Sequence, residues 1–170
     1  MHRRRALILA LIIGAFCPAA WAQSFPAKPV KLIVPFAAGG AADLFARTLA
    51  NGMSNELGQQ LFIEVHAGVG GLTGVNATAK SAPDGYTICF AGAAALSAFP
   101  FMLSRMPFDW QKDLALLTLA VRVPEAVIVR PALGVGTLRE FVDYARANPG
   151  KVNFGSAGAG SITHLGAELL

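Results

Sequence analysis

An α/β fold built on a parallel sheet is the class this sequence predicts, and three observations carry it. Short apolar, β-branched runs alternate with longer stretches of helical periodicity. Glycine-rich loops follow the strand-like runs at 36–40, 67–71 and 155–160. The resulting order, strand–helix–strand–helix–strand, puts helices on the faces of a parallel sheet. Composition agrees: 54% of the 170 residues are hydrophobic and 14% charged. That leaves enough apolar surface to bury and excludes disorder as the main state.

The first element is an address rather than part of the fold. Met1–Arg5 is a short basic stretch, Ala6–Cys17 is an uninterrupted apolar run, and Ala20-Trp21-Ala22 supplies a small-x-small cleavage pattern. This is the layout of a secretory signal. The run is too short for a transmembrane span, which takes about 20 apolar residues. A lipoprotein signal needs a small residue before the cysteine, and Phe16 stands there. Cleavage is predicted after Ala22, in a periplasmic destination.

Val30–Val34 reads as a buried strand that Pro35 ends. A helix follows over Ala41–Leu57, with Phe45, Leu49, Met53 and Leu57 as its expected apolar stripe. Gly58 suits the left-handed position past its end. Leu61–Val65 is the second strand, Leu72–Lys80 a short helix, Pro83-Asp84-Gly85 a turn and Tyr86–Ala91 the third strand. Ala93–Phe108, interrupted by Pro100 and Pro107, is expected to be a loop with a helical turn or two. Ala115–Val121, Ala126–Val129 and Val152–Phe154 read as further strands. A helix over Leu138–Ala147 carries Phe141, Val142 and Ala145 on its inner face. Thr137 and Glu140 supply a capping box, and Asn148-Pro149-Gly150 a stop. The last helix begins near Ser161. The chain stops at Leu170 within it, and on that ground the sequence reads as an N-terminal fragment.

Charge and cysteine usage narrow the function. The formal charge of +4 includes Arg3, Arg4 and Arg5; without them eleven basic residues face ten acidic ones. So balanced a body gives no electrostatic case for nucleic acid or an anionic membrane as partner. Cys17 leaves with the signal, and Cys89 in the third strand reads as a small buried residue. No disulfide within the chain and no cysteine metal cluster follow from that usage.

The three glycine loops each run from a strand into a helix N-terminus. First-turn amides lack partners there and the helix dipole favours an anion, while glycine lets a ligand approach the backbone. One such loop alone is turn chemistry; three on one sheet edge point to a ligand site beyond the strand ends. Nucleotide readings fail on spacing. Thr73 and Thr163 stand where the dinucleotide fingerprint needs its third glycine, and no Gly-Lys-Ser/Thr occurs. A different class, an exported hydrolase, would use Ser161 with His164, but no Gly-x-Ser-x-Gly elbow is present. His66 is a lone histidine at a strand end, so no metal-ligand set assembles. Asp43 reads as a first-turn acid complementing the dipole, or as a group that orients loop amides or a water.

At this point the residues resemble a family. Lys28–Phe36 (KPVKLIVPF), Gly39-Gly40-x-x-Asp43 with Ala46-Arg47, and Ala82–Thr87 (APDGYT) look like the Bug extracytoplasmic solute receptors. These are the binding proteins of tripartite tricarboxylate transporters. The likeness continues through Pro107-Phe108-Asp109, Asp113, Asn148–Lys151, and Gly155-Ser156-x-Gly158-x-Gly160-Ser161-x-x-His164-Leu165. The resemblance implies a type II periplasmic binding protein, a Venus flytrap of two α/β lobes. Residues 23–114 would form the N-terminal part of lobe 1, and 115–170 the hinge and an incomplete start of lobe 2. It further implies a small organic carboxylate as ligand, permease subunits of a tripartite transporter as partners, no cofactor, no catalysis and a monomer when full length. A carboxylate sensor serving a signalling partner is the nearest alternative. Carried over residue by residue, the contacts would be Phe36, Ala37, Ala38, Gly39, Asp43, Gly70 and Gly71 from the first lobe. Ser156, Ala157, Gly158, Ser161 and His164 would serve from the second.

Two departures from the family pattern stand out. Ala37-Ala38 replace proline-rich residues before Gly39-Gly40. In Val65–Gly71, the family's Asn and Pro positions hold Val65 and Ala67. Losing that Asn and Pro leaves a looser loop, so the choice of ligand does not carry over from relatives.

Overall fold

The computed structural model describes residues 24–170, and the signal and its cleavage after Ala22 lie outside them. Three strands form one parallel sheet: β1 (Val30–Val34), β2 (Leu61–Val65) and β3 (Thr87–Cys89), in the order β2-β1-β3. Val30 pairs with Leu61 and Leu32 with Ile63 on one side, and Leu32 with Ile88 on the other. The bounds of β1, of β2 and of the helix between them, α1 (Ala41–Leu57), match the sequence reading to the residue. β3 is shorter than the predicted Tyr86–Ala91.

The alternation of β1 sorts its side chains onto two cores. Val30, Leu32 and Val34 face α1, where they pack with Ala46, Ala50 and Leu61. Ile33 faces the opposite layer, where α2 (Leu72–Ala79) lies so close that Gly74 abuts Ile33 and Pro35. Burying one Leu, Ile or Val side chain in this way stabilises by about 1.5–3 kcal/mol. The second core joins Leu72 and Val75 to Ala94, Ala95, Phe99 and Phe108 from the short helices α3 (Ala94–Ser97) and α4 (Phe99–Met102) and the following loop.

The expected stripe on α1 needs correction. Phe45 is 42% exposed, while Asp43, Ala46 and Ala50 are the buried positions, with Met53 and Leu57 packed against the same core. A row spaced by four residues drifts around a helix of 3.6 residues per turn, so Phe45 and Leu57 leave a common face. The small alanines bring the helix down onto the sheet.

The runs Ala115–Val121, Ala126–Val129 and Val152–Phe154 form no strands. Leu116, Leu117, Leu119, Val127, Ile128 and Phe154 are exposed. Apolar composition does not make a strand without a neighbour to complete its ladder, and none pairs with them among the described residues. A helical turn that the sequence reading did not place, α5 (Trp110–Asp113), is capped by Asp109, whose Oδ1 accepts from the Gln111 amide. α6 (Leu138–Ala147) and α7 (Ile162–Glu168) follow. Thr137 Oγ1 accepts from Glu140 N at 3.2 Å and Glu140 Oε2 accepts from Thr137 N at 3.2 Å, so the capping box is formed.

Candidate functional site

The strand order locates a crevice. From β1 the chain crosses to β2 over the α1 face, then returns past β1 to β3 over the α2 face. The loops leaving β1 and β3 therefore diverge to opposite faces, which opens a gap at their carboxyl ends. The ring of Phe36 sits there, half-buried. A Cβ on Gly92 would stand 2.7 Å from its Cζ and one on Gly71 3.2 Å away, so both glycines exist here to admit the ring. Gly92 follows β3 as Gly39 follows β1. The sequence reading did not include it, although the same strand–glycine–helix rule selects it.

Asp43 shapes the first loop. Its side chain is almost fully buried, and Oδ2 accepts from Gly39 N at 2.9 Å and from Arg47 Nε at 3.0 Å. The Gly39 amide above all, and then Arg47, hold this carboxyl below its ordinary 3.8, so it is charged at neutral pH. Oδ1 is buried with no partner among the described residues. Asp43 stands in the first turn of α1 and also holds a loop amide, so the geometry fits both roles read from sequence. Ala37, Ala38 and Gly39 themselves are exposed, and the amides of Ala37 and Ala38 have no protein acceptor among the described residues.

The second loop is the most unusual backbone among the described residues. Gly68, Val69, Gly70 and Gly71 have φ of +140°, +47°, +56° and +98°. Three are glycines that adopt such angles freely. Val69 is β-branched and 57% exposed, and holding it there costs on the order of 1–3 kcal/mol. The Gly71 amide is tied back to Gly68 O at 3.0 Å, while that of Gly70 is free among the described residues. His66, just before this loop, pairs with Glu64, which also takes Lys31 Nζ at 2.9 Å.

The third loop ties down three of its own amides. Ala157 N donates to Thr163 Oγ1 at 3.0 Å, Gly158 N to Ser156 Oγ at 3.3 Å, and Gly160 N to His164 Nδ1 at 3.5 Å. Ala159 N has no protein acceptor among the described residues. Ser161 is the N-cap of α7: its Oγ accepts from the backbone N of His164 and touches the Thr163 hydroxyl at 2.9 Å. Ser161 is 3% exposed, and its hydroxyl meets the His164 backbone rather than the imidazole. The other edge of that ring faces Glu168 at 3.7 Å. A nucleophile–base pair of the hydrolase kind is not assembled.

The structure brings the second and third loops together. A Cβ on Gly70 would stand 2.8 Å from Ala159 O and from Ser161 N, and one on Gly158 3.7 Å from Gly70 N. The free amides of Gly70 and Ala159 thus flank one contact. A shallow concavity of about 370 Å³ lies elsewhere, along α6, lined by Leu138, Arg139, Val142, Asp143 and Arg146. It is a groove on one helix with no converging amides, so the glycine loops remain the candidate site. Among the described residues no three His, Cys, Asp or Glu side chains converge on a metal position, and no helix is long and apolar enough to cross a membrane.

Comparison with known proteins matches residues 45–170 to the tripartite tricarboxylate transporter family receptor, TctC. A UPF0065 protein of Bordetella pertussis is 37% identical over 169 residues, covering 98% of this chain and 51% of that protein. BugT of the same organism is 35% identical over 168 residues, covering 95% and 52%. Among solved structures, MatC from Rhodopseudomonas palustris with bound malate is similar at a TM-score of 0.72 and 33% identity, covering 85% of this chain and 49% of that one. The periplasmic binding protein BugD is similar at 0.69 and 29%, covering 85% and 48%. A further R. palustris protein, solved with adipate, gives 0.72 and 30%, covering 85% and 48%. The chain spans about half the length of the curated relatives it matches.

Proposed function

This chain belongs to the tripartite tricarboxylate transporter receptor family, and from that premise we propose that it captures a small organic carboxylate in the periplasm and hands it to the permease subunits of such a transporter. It performs no chemistry on the ligand. The observation that carries the reading is that the second glycine loop touches both others, the first through Gly71 and Phe36 and the third through Gly70, with free amides at Ala37, Ala38, Gly70 and Ala159. Backbone N–H groups at helix starts bind a carboxylate without a charged side chain. Asp43 serves by fixing the first loop rather than by facing the anion, since two like charges would repel. Phe36 supplies an apolar floor, which suits a ligand with a carbon chain between its polar ends. MatC was solved with malate and the further R. palustris protein with adipate, which makes small dicarboxylates the first ligands to test.

The test is calorimetric titration of the purified gene product with malate, adipate and related acids. Saturable one-site binding with the ligand recovered unchanged is expected. In the variant Gly158→Asp, a side chain carrying negative charge enters beside the Gly70 amide, and binding is expected to disappear. Absence of binding across the panel, or conversion of the ligand, overturns the reading. For the location, the N-terminus of protein recovered from the periplasm is expected at Gln23; an intact Met1 on cytoplasmic protein refutes export.

A further inference from the structure

We propose that Phe99 is a positioning residue for the free amides: the seat on which the third glycine loop closes against the second. Its ring is 2% exposed and packed among Leu72, Val75 and Phe108. At the same time it lies flush against Gly160, sixty-one positions along the chain: a Cβ there would stand 2.3 Å from Cε1 and 2.6 Å from Cζ. No side chain fits in that space. On its other side the same loop meets Gly70, whose Cβ would stand 2.8 Å from Ala159 O, 2.8 Å from Ser161 N and 2.9 Å from Gly160 C. The 159–161 backbone is therefore wedged between an aromatic ring and a second backbone. Gly160 and Ser161 are buried, whereas residues 153–159 are exposed.

The ring is anchored in the core of the β1–β3 unit, so it fixes how closely the third loop approaches the second. That approach fixes how the Gly70 and Ala159 backbones stand to one another. The proposal rests on the carboxylate-binding reading for its purpose, because a preset arrangement saves the ordering that binding otherwise costs. The seating itself exists without a ligand and is measurable without one.

The experiment is hydrogen exchange of segments 68–72 and 155–161 in the purified gene product, with malate and adipate affinities measured in parallel. Gly160→Ala adds a methyl group against the ring and is expected to speed exchange in both segments. Where wild type binds either acid, it is expected to weaken that binding roughly tenfold. Gly134→Ala controls for backbone strain, since Gly134 has a similar φ of +72° but open space around it; exchange in both segments is expected to stay at the wild-type rate. The double variant Phe99→Leu with Gly160→Ala makes room for the methyl and is expected to restore slow exchange. If Gly160→Ala fails to fold, Phe99→Leu alone is expected to speed exchange in 155–161 with unchanged circular dichroism. Wild-type exchange in Gly160→Ala or in Phe99→Leu, equal effects of Gly160→Ala and Gly134→Ala, or no rescue by the double variant each overturn the seat. If wild type binds neither acid while exchange behaves as described, the carboxylate reading fails and the seat stands.

Discussion

Two glycine-to-alanine substitutions in helices should have opposite signs. Alanine is the better helix former by about 1 kcal/mol at an interior position. Gly52 lies inside α1, is exposed, and a Cβ there meets nothing within 4 Å. Gly52→Ala should therefore stabilise by about that 1 kcal/mol. Gly74 lies inside α2, where a Cβ would stand 2.7 Å from Pro35 Cβ, 3.0 Å from Pro35 Cα and 3.1 Å from Ile33 Cγ2. Pro35 and Ile33 are among the most deeply buried residues, and one of the obstructing atoms is backbone. Relief by a rotamer change is unavailable, so the helix must lift from β1. Overpacking of this kind costs about 1–3 kcal/mol, and a backbone obstacle puts it at the upper end. Subtracting the propensity gain leaves a net loss of about 2 kcal/mol for Gly74→Ala. With a urea slope of about 1–3 kcal/mol per molar, the unfolding midpoint should fall by roughly 1 M. Lifting α2 also shifts Gly71 relative to the Phe36 ring, so ligand affinity should fall with stability in Gly74→Ala and stay level in Gly52→Ala. Equal stabilisation by the two substitutions would refute the packing argument.

Three further outcomes follow from particular contacts. Asp43 has a carboxyl held below its ordinary 3.8, so its tie to the first loop should be complete above that pH and be lost as pH falls through the lower folded value; a Gly39 amide resonance that instead titrates at or above 3.8 would contradict it. Thr137→Ala removes one half of the capping box of α6 and should cost about 0.5–2 kcal/mol in denaturant unfolding, with no change in ligand affinity. Burial pushes the Cys89 thiol up to about 11, so alkylation mapped to that residue should be slow in native protein at neutral pH and fast in denaturant; rapid native labelling would show that β3 is open.

The parts legible in the sequence share a physical character: their signals are local. The bounds of α6 follow from Thr137, Glu140 and Asn148, all within a turn of its ends. The start of α7 follows from Ser161 in the same way. β1 and β2 follow from five-residue apolar runs bounded by Pro35 and by Gly58 with its flanking polar residues. Two of the three glycine loops were visible as strand–glycine–helix junctions, and Asp43 as a first-turn acid. Where the reading missed, the deciding partner was distant or lacking. The run Ala115–Val121 has strand composition, but a strand is a relation between two segments. The face of α1 depended on the sheet beneath it, which selected Ala46 and Ala50 over the larger Phe45.

By itself, then, the sequence determined the α/β class, the caps, the family and the places of the glycine loops, because propensity, capping and motif spacing act within a few residues. Only the tertiary structure decided that Phe36 lies between Gly71 and Gly92 and that Gly160 rests on Phe99 beneath Gly70. These are close approaches between residues far apart in the chain, and they exist only once the parallel sheet has closed the distance. A glycine announces that something comes near; which atom comes near is settled by packing.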